Sequence, residues 1–347
     1  MRLPGENLRS VLAVAAGAAL LLAGCGGDDG GNGTTQASGG ENADFRIGLV
    51  TDVGQLNDRG FNQLAYQGLK RAERELGVQI RVTQSRSASD YVPNHTTLAR
   101  QGFDLIIGVG FAQGEAVAEA AKSFPDAKYA IIDVDQTTLP GKPPNVLGVL
   151  FREEQAGYLA GVLAGLNVKK DPPVVSSVGG YKEPPVDRFI AGYQAGAEYS
   201  KPGIRTLNGY SSDWDDQAKC KEIALNQIGR GSSVVFQVAG GCGLGALDAA
   251  GERGVWGIGV DADQSFIGNF VLTSAMKRVD EAVFRITRSV TDDTWTGGTN
   301  VTFGLAERGV GLGKISPQVP QDQRSQLEDV QRKILAGEIE IPQTLSS

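Results

Sequence analysis

The sequence FRIGLVTDVGQLNDRGFNQLAYQGLKRAEREL occupies residues 45–76. Residues 45–51 form an apolar run typical of a buried strand, and residues 61–76 have the hydrophobic spacing of an amphipathic helix. A polar loop containing two glycines joins them. A strand, a loop and a helix in this order form the repeating unit of parallel α/β sheets.

The same unit recurs along the chain. Strands are predicted at Phe45–Thr51, Gln79–Thr83, Leu105–Val109, Tyr129–Val134, Val146–Phe151, Val174–Val178, Arg205–Tyr210, Ser233–Val238, Trp256–Val260 and Phe270–Ser274. Helices are predicted at Phe61–Leu76, Gln113–Lys122, Glu153–Leu166, Val186–Tyr199, Asp215–Ile228 and Val279–Thr291. The series divides near residues 146–152, so we expect two doubly wound parallel-sheet lobes.

Three chain crossings should join the lobes as a hinge that closes around a ligand. The predicted boundaries give lobe 1 as residues 45–148 plus 263–292, and lobe 2 as residues 149–262 plus 293–345. Ligands of such sheets bind at the carboxyl ends of the strands. The residues that follow each strand are therefore the candidates for function.

Composition excludes several classes of protein. The chain has 347 residues, of which 41% are hydrophobic, and its 40 acidic residues outnumber its 33 Lys and Arg residues to give a net charge of −7. This hydrophobic content is that of a folded protein rather than a disordered one. An acidic balance without a basic stripe argues against nucleic acid as a partner, because phosphate neutralisation supplies most of that affinity.

The N-terminus predicts the compartment. Arg2 and Arg9 precede an apolar run at residues 11–22, which is too short to span a bilayer and is typical of a signal peptide, here residues 1–24. Leu22-Ala23-Gly24-Cys25 resembles the lipobox of bacterial lipoproteins, in which the cysteine receives the lipid. Residues 25–44 are rich in Gly, Asp, Asn and Thr and should form a flexible tether. We expect a lipid-anchored protein on the extracytoplasmic face of the cell membrane.

Two further cysteines, Cys220 and Cys242, would then lie in an oxidising compartment. A disulfide between them is allowed there, and two buried free thiols are the alternative. The sequence leaves both open.

The loop after the first strand carries ligand-recognition chemistry. Phe61 can stack on a flat ligand, and Asp52 with Asn62 can pair with donors and acceptors on its edge. The structural alternative is that Asp58 caps the following helix while Phe61 packs beneath it.

The other strand ends add to this set. Phe111 follows the third strand, and Asp133 and Asp135 follow the fourth. In the second half, the glycine-rich run around Gly240 lacks the lysine and spacing of a phosphate loop, which favours close backbone approach to an uncharged ligand. Asp261 is placed to accept the vicinal hydroxyls of a ribose, and Lys277 can donate a hydrogen bond or be a solvated lysine.

These motifs together resemble the basic membrane protein family of lipoproteins. The resemblance runs from about residue 45 to about residue 340 and rests on the lipobox and on these segments: Asp52…Phe61-Asn62-Gln63, Phe236-Gln237-Val238-Ala239-Gly240-Gly241, Gly259-Val260-Asp261-Ala262-Asp263-Gln264 and Ser274…Lys277-Arg278. It implies a type I periplasmic binding protein fold, and a receptor that delivers a purine nucleoside to the permease subunits of an ABC importer. It implies no cofactor, and we expect a monomer.

The resemblance also implies roles for residues. Phe61 would stack on one side of the base and an aromatic of the second lobe, here Phe236, on the other. Asp52, Asn62 and either Asp133 or Asp135 would meet the base edge or neighbouring polar atoms. The ribose hydroxyls would bind Asp261 and Lys277.

Three alternatives remain. An enzyme acting on the same ligand needs a base, nucleophile or metal, but the single histidine, His95, lies in a polar stretch typical of a solvated loop or helix start, and no metal-ligand spacing occurs. A receptor for a sugar or another small metabolite fits the same fold. A surface adhesin leaves no mark on the sequence. We expect a binding protein and not an enzyme.

Overall fold

A computed structural model describes residues 42–345. The predicted signal peptide, the lipidation site Cys25 and residues 25–41 of the predicted tether lie outside the described residues. The strands are β1 (Arg46–Val53), β2 (Gln79–Ser85), β3 (Leu105–Val109), β4 (Lys128–Ile132), β5 (Val146–Phe151), β6 (Val174–Gly179), β7 (Arg205–Tyr210), β8 (Val234–Val238), β9 (Trp256–Asp261), β10 (Val271–Lys277), β11 (Thr299–Phe303) and β12 (Val310–Leu312). The helices are α1 (Phe61–Leu76), α2 (Tyr91–Arg100), α3 (Gly114–Ser123), α4 (Glu153–Asn167), α5 (Pro184–Ser200), α6 (Gln217–Gly229), α7 (Gly243–Glu252), α8 (Val279–Thr291) and α9 (Gln321–Leu335).

The strands form two six-stranded sheets. The first has the order β11-β5-β4-β3-β1-β2 and is parallel throughout. The second has the order β12-β10-β9-β8-β6-β7 and is parallel except for the β10–β12 pair. Helices contact both sheets, and the central strands are almost fully buried. The predicted fold, with two doubly wound lobes, is confirmed.

The chain passes between the sheets three times: after β5, after β10 and after β11. This changes the predicted lobe boundaries at two elements. Strand β10, within residues 263–292, pairs with β9 in the second sheet rather than joining lobe 1. Strand β11, within residues 293–345, pairs with β5 in the first sheet. Each of these strands belongs to the sheet that the chain occupies before it crosses to the other lobe. Helix α8, which follows the crossing after β10, packs on α1 of the first lobe.

Three helices and two strands were missing from the predicted series. Helix α7 begins Gly-Leu-Gly and α2 contains Pro93 and a Thr pair, which are weak helix formers. Strands β11 and β12 lie at sheet edges and are short and partly exposed, so they lack the apolar run of a central strand. Helix α9 is polar on most of its surface and buries only Leu327, Val330 and Ile334.

Helices α4 and α5 pack unusually closely. An ideal Cβ on Gly157 would lie 2.2 Å from the Phe189 carbonyl oxygen, and one on Gly192 would lie 2.1 Å from the Glu154 carbonyl oxygen. Only glycine allows the two backbones to approach this far. The contact holds the beginnings of both helices, which carry Glu153 and Phe189, against each other where they pack on the second sheet.

Cys220 and Cys242 form a disulfide, with their Cα atoms 5.6 Å apart. Of the two alternatives that the sequence leaves open, the structure has the bridge. It joins the beginning of α6 to the residue that precedes α7, and both cysteines are fully buried.

Candidate functional site

A cleft of about 650 Å³, part of it open to solvent, lies between the carboxyl ends of the two sheets. The first sheet and its loops contribute Asp52, Val53, Gly54, Asp58, Phe61, Asn62, Gly110, Phe111 and Asp133. The second contributes Glu183, Pro185, Val186, Phe189, Trp214, Asp215, Val238, Gly240, Gly241, Val260, Asp261 and Lys277. The cleft is thus at the position where ligands of parallel sheets bind.

Asp52 stands at the end of β1 and is held by several hydrogen bonds. Its Oδ1 accepts from the backbone N–H of Val53 at 2.7 Å and from the Tyr91 hydroxyl. Asn62 Oδ1 accepts from the Asp52 backbone N–H at 3.1 Å. Burial raises the pKa of Asp52 to about 6, against the lowering effect of the Tyr91 and Val53 hydrogen bonds. The carboxyl group is therefore fixed in place and costly to ionise without a donor from a ligand.

Gly110 lets β3 end against this carboxylate. Its φ is +114°, and an ideal Cβ would lie 2.1 Å from Asp52 Oδ2. A side chain at residue 110 would displace the Asp52 carboxylate.

Asp58 fixes the start of α1. Its carboxylate accepts from the N–H groups of Gly60 at 2.9 Å, Asn62 at 2.9 Å and Gln63 at 3.2 Å. These N–H groups have no partner within the helix, so the aspartate satisfies them. The capping role foreseen for Asp58 is correct. Phe61 nevertheless lines the cleft, because it is the first residue of the helix that Asp58 positions.

Lys277 lies at the end of β10 within a buried ion cluster. Its Nζ is 2.7 Å from the Asp133 carboxylate and 2.8 Å from Glu153 Oε1. Arg188 Nη1 lies 3.4 Å from Glu153 Oε2. Burial lowers the pKa of Lys277, but the neighbouring carboxylates outweigh it and raise the pKa above the ordinary value. Lys277 is therefore a buried, charged lysine at the hinge and not a solvated one.

Asp133 and Asp261 share an unusual backbone. Their φ values are +72° and +61°, a region that L-residues rarely adopt. Such a conformation costs about 1–3 kcal/mol at each residue and is concentrated at functional sites. It turns both carboxylates at the ends of β4 and β9, where both are almost fully buried and line the cleft.

Burial makes these acids difficult to ionise. Desolvation raises the pKa of Asp133 to about 6 even though Lys277 lowers it. It raises the pKa of Asp261 to about 7, where the charges of Asp58 and Asp133 add to the effect and Lys277 opposes it. A ligand that donates hydrogen bonds would stabilise their ionised forms.

Glu183, which the sequence analysis did not select, is a further acid of the cleft. It directly precedes α5, and burial followed by the charges of Asp52 and Asp133 raises its pKa to about 7. Its position after β6 made it a strand-end candidate, but the stretch Tyr181-Lys182-Glu183 resembles any polar loop. Asp215, exposed in the loop after β7, was missed for the same reason.

Aromatic side chains line both sides of the cleft. Phe61 and Phe111 come from the first lobe, and Phe189 and Trp214 come from the second. Lys277 Nζ lies 5.2 Å from the Phe61 ring centroid and 6.0 Å from that of Phe189, so the ion cluster and the aromatic rings adjoin. The cleft offers flat apolar faces bordered by hydrogen-bond acceptors.

Phe236, which was predicted to stack on the ligand, does not line the cleft. It is fully buried under α5, with its ring 5.0 Å from that of Tyr193 and 6.2 Å from that of Phe189. Alternate residues of a strand share a face, so Val238, at the strand end, occupies the cleft and Phe236 lies deeper in the core. Trp214 is a second-lobe aromatic of the cleft that the sequence prediction missed. The signal that could have identified it is a tryptophan in an otherwise polar loop after β7.

Asp133 and Asp135 are also separated. Asp133 lines the cleft, whereas Asp135 accepts from the Thr137 N–H at 2.8 Å and from Asn300 Nδ2 at 2.7 Å, outside the cleft lining. Asp135 caps a short turn and links it to β11. Of the other predicted residues, Asp52, Phe61, Asn62, Gly240, Asp261 and Lys277 all lie at the cleft.

His95 takes no part in the cleft. It lies in the first half of α2, in agreement with the predicted helix start, but its side chain is fully buried rather than solvated. Its Nε2 is 2.8 Å from Gln113 Oε1. Burial lowers the pKa of His95 to about 4. Within residues 42–345, no group of three or more His, Cys, Asp or Glu residues is arranged to hold a metal ion. No helix in that range is long and apolar enough to cross a membrane.

The charges of the cleft are strongly unbalanced. Among the lining residues, six are carboxylic acids and one is a lysine. Uncompensated buried carboxylates are unfavourable unless they receive hydrogen bonds or protons. The cleft is therefore suited to a flat ligand that donates hydrogen bonds and carries no negative charge.

Comparison with known proteins agrees with this geometry. Residues 46–344 match the family described as ABC transporter substrate-binding protein PnrA-like (Bmp). The ABC transporter nucleoside-binding protein BmpA of Lactococcus lactis subsp. cremoris is 34% identical, over 97% of this chain and 99% of that protein. An uncharacterized lipoprotein of Pyrococcus horikoshii is 34% identical over 84% of this chain and 74% of that protein.

A solved structure shows the same fold. The crystal structure of an ABC transporter solute-binding protein of Aeropyrum pernix aligns with a TM-score of 0.78 and 27% identity, over 87% of this chain and 94% of that one. Solute-binding proteins of transporters are not enzymes, and the arrangement of the cleft is that of a binding site. The chain therefore belongs to the PnrA-like (Bmp) family of ABC transporter substrate-binding proteins.

Proposed function

We propose that the protein captures a purine nucleoside in the cleft and delivers it to the permease of an ABC importer. The observation that carries the proposal is the set of buried carboxylic acids between aromatic side chains of both lobes. Purine nucleosides combine a flat ring, donor groups on its edge and two vicinal hydroxyls. A relative at 34% identity is named as a nucleoside-binding protein.

The base would lie between Phe61 of the first lobe and Trp214 or Phe189 of the second. Stacking of a base on an aromatic side chain contributes about 1–3 kcal/mol per contact. Asp52 and Asn62 adjoin Phe61 and would meet the edge of the base, since both are held at the end of β1 by hydrogen bonds.

The ribose would bind near Asp261. Its carboxylate lies against the first-lobe loop, since an ideal Cβ on Gly60 would be 3.5 Å from Asp261 Oδ2. The Lys277 ammonium has three donors and uses two on Asp133 and Glu153, which leaves one for a ribose oxygen. Hydrogen bonds to charged groups contribute about 1.5–3 kcal/mol each.

Anchoring of the protein to the membrane by a lipid also forms part of the proposal. A lipid at Cys25 would hold the protein on the extracytoplasmic face of the cell membrane, and residues 25–44 would let it reach a permease. Two or more acyl chains are needed for stable anchoring. Mass spectrometry of the protein from its native membrane would detect the modified Cys25, and an unmodified N-terminus would contradict the anchor.

A ligand panel tests the nucleoside. Thermal unfolding is followed with adenosine, guanosine, inosine, the free bases, nucleoside monophosphates and simple sugars, because a ligand at 100 times its Kd adds about 2.7 kcal/mol of stability. Nucleosides should raise the melting temperature of the protein, and the Phe61→Ala variant should lose most of that shift. Asp135→Asn, which lies outside the cleft, is the matched control and should keep it.

The same ligand panel distinguishes a nucleoside receptor from a sugar receptor. A shift with sugars alone would keep the fold and overturn the nucleoside. No shift with any member would overturn the proposed ligand class, provided that mass spectrometry of the denatured protein finds no nucleoside carried over from the expression host.

A further inference from the structure

The loop between β7 and α6 carries Trp214 and Asp215 into the cleft. Asp213 holds this loop in shape, since its Oδ1 accepts from the N–H groups of Asp215 at 2.9 Å and Asp216 at 3.0 Å. Trp214 is half-buried. Its position in the cleft therefore depends on what its indole and backbone contact.

Both contacts are with loops of glycines. An ideal Cβ on Gly180 would lie 2.1 Å from Trp214 Cζ3, so the indole covers that glycine directly. Gly240, whose φ is +54°, has its Cβ position 3.6 Å from Trp214 Cε3. The backbone N–H of Cys242 donates to the Trp214 carbonyl at 2.8 Å. The indole thus rests in a recess formed by the backbone at these glycines and by the ring of Tyr181, whose centroid is 5.4 Å from that of Trp214.

The Cys220–Cys242 disulfide closes this arrangement. Cys220 lies in the first turns of α6, directly after the Trp214 loop, and Cys242 ends the glycine loop. The Trp214 loop is therefore joined to the glycine loop twice: by the hydrogen bond between Trp214 and Cys242, and by the covalent bond. Gly245 extends the contact, because its Cβ position is only 1.9 Å from the Gln217 carbonyl oxygen.

We propose that the Cys220–Cys242 disulfide is a positioning element of the ligand site, which holds Trp214 in its recess before the ligand arrives. Both sulfur atoms are buried and do not line the cleft, so the disulfide acts through Trp214. A preset aromatic side chain spares the ligand the cost of ordering it, an effect that appears mainly in the dissociation rate. The nature of the ligand rests on the proposed function, but the positioning of Trp214 does not.

The test uses Trp214 as its own probe. The chain has three tryptophans, so Trp256→Phe with Trp295→Phe leaves Trp214 as the only tryptophan, whose emission is read with excitation that spares the tyrosines. In this parent, Cys220→Ala with Cys242→Ala should raise the acrylamide quenching of Trp214 by about twofold, without any ligand. The same variant should release inosine roughly three- to tenfold faster in stopped-flow measurements.

A matched control separates positioning from general destabilisation. Val117→Ala creates a cavity in the core of the first lobe, far from the disulfide in the fold, and should lower stability while leaving quenching and release unchanged. Unchanged quenching in the cysteine variant would overturn the proposal, and so would an equal change in Val117→Ala. A parent that binds no inosine would count against the proposed function, while the quenching result would still decide the role of the disulfide.

Discussion

Asp261 shows how a single residue brings both a cost and a function into the cleft. Burial raises the pKa of its carboxyl group to about 7, above the ordinary value of 3.8 for aspartate. The folded protein therefore binds a proton that the unfolded chain has released between those values. The stabilising contribution of this proton is complete below about pH 4 and is lost as the pH rises through 7.

Replacing Asp261 by Asn should stabilise the folded protein at high pH and remove the proposed contact with the ribose. Without ligand, Asp261→Asn should increase the free energy of unfolding by about 1–3 kcal/mol at pH 8 and change it little at pH 4. Urea unfolding at both pH values measures this. An equal change at the two pH values would contradict a buried, titrating Asp261.

Tyr91 is a residue outside the cleft that should affect ligand binding. Its hydroxyl donates to Asp52 and lowers the pKa of that carboxyl group, so Tyr91→Phe should raise the pKa further above 6. Nucleoside affinity should then fall by roughly three- to tenfold near pH 6, because the hydrogen bond that favours the ionised Asp52 is lost and less Asp52 is ionised, and it should recover at higher pH.

Calorimetric titrations from pH 5.5 to 8 measure this displacement of the pH profile. Tyr129→Phe is the matched control, because the Tyr129 hydroxyl is buried in the same lobe without a hydrogen-bond partner. A Tyr91→Phe profile that coincides with the wild-type profile would show that Asp52 does not contact the ligand.

Residue types were the part of the site most accessible to sequence reasoning. Acids and aromatics after strand ends can be recognised because the carboxyl ends of parallel strands meet at one edge. The choice between Phe236 and Trp214 could not be made in this way. The end of β8 was predicted correctly at Val238, but Phe236 lies two residues before it and is buried in the core. Which residue of the loop after β7 reaches the cleft depends on the folded loop.

At the scale of helices and strands, the close α4–α5 contact holds the start of α4, where Glu153 lies beside Lys277. Gly192→Ala would place a methyl group 2.1 Å from the Glu154 carbonyl oxygen, and neither backbone can move without displacing Glu153 and Phe189. We expect a loss of about 2–4 kcal/mol in the free energy of unfolding, in the range of other overpacked sites with backbone shifts.

Gly229→Ala is the control for the same chemical change. No atom lies within 4 Å of the Cβ position at Gly229, so the substitution should be neutral or slightly stabilising in α6. Chemical denaturation of both variants measures the difference. Equal stability of Gly192→Ala and Gly229→Ala would mean that α4 and α5 are not in close contact.

The sequence was sufficient to predict most of the central strands and helices, but not the elements at the sheet edges. Central strands were recognised because burial on both faces requires a continuous apolar run. Strand β11 and helix α9 were not recognised, because each is stabilised by contacts with distant parts of the chain rather than by its own pattern. The crossings after β10 and β11 could not be positioned for the same reason.

At the scale of the whole molecule, the charge of the cleft predicts which ligands it rejects. Six acids and one lysine line it, and the protein as a whole carries a net charge of −7. A nucleoside monophosphate adds about two negative charges near neutral pH. It should bind at least about tenfold more weakly than the corresponding nucleoside, which is a difference of about 1.4 kcal/mol.

Calorimetry with guanosine and its monophosphate at low and high salt measures this rejection. Because screening reduces repulsion between charges, the difference in affinity should become smaller at high ionic strength. Tighter binding of the monophosphate would show that the carboxylic acids of the cleft do not face the ligand.

The lobes of the described structure also touch across the cleft. Gln264 of the second lobe donates to the Arg59 carbonyl of the first at 3.2 Å, and the Arg59 guanidinium lies 5.7 Å from the centroid of the Phe266 ring. Together with the Lys277–Asp133 ion pair, these contacts join the lobes around the cleft. A bound nucleoside would therefore be in contact with both lobes.

Recognition of a ribose by Asp261 is the central claim, and one calorimetric comparison tests it most directly. Inosine and 2′-deoxyinosine are titrated into the wild-type protein and into Asp261→Asn. Wild type should bind inosine roughly ten- to 150-fold more tightly than Asp261→Asn does, and should prefer it to the deoxynucleoside, whereas the variant should bind both alike. Equal affinities of the wild-type protein for the two ligands, or no binding of either, would contradict the account.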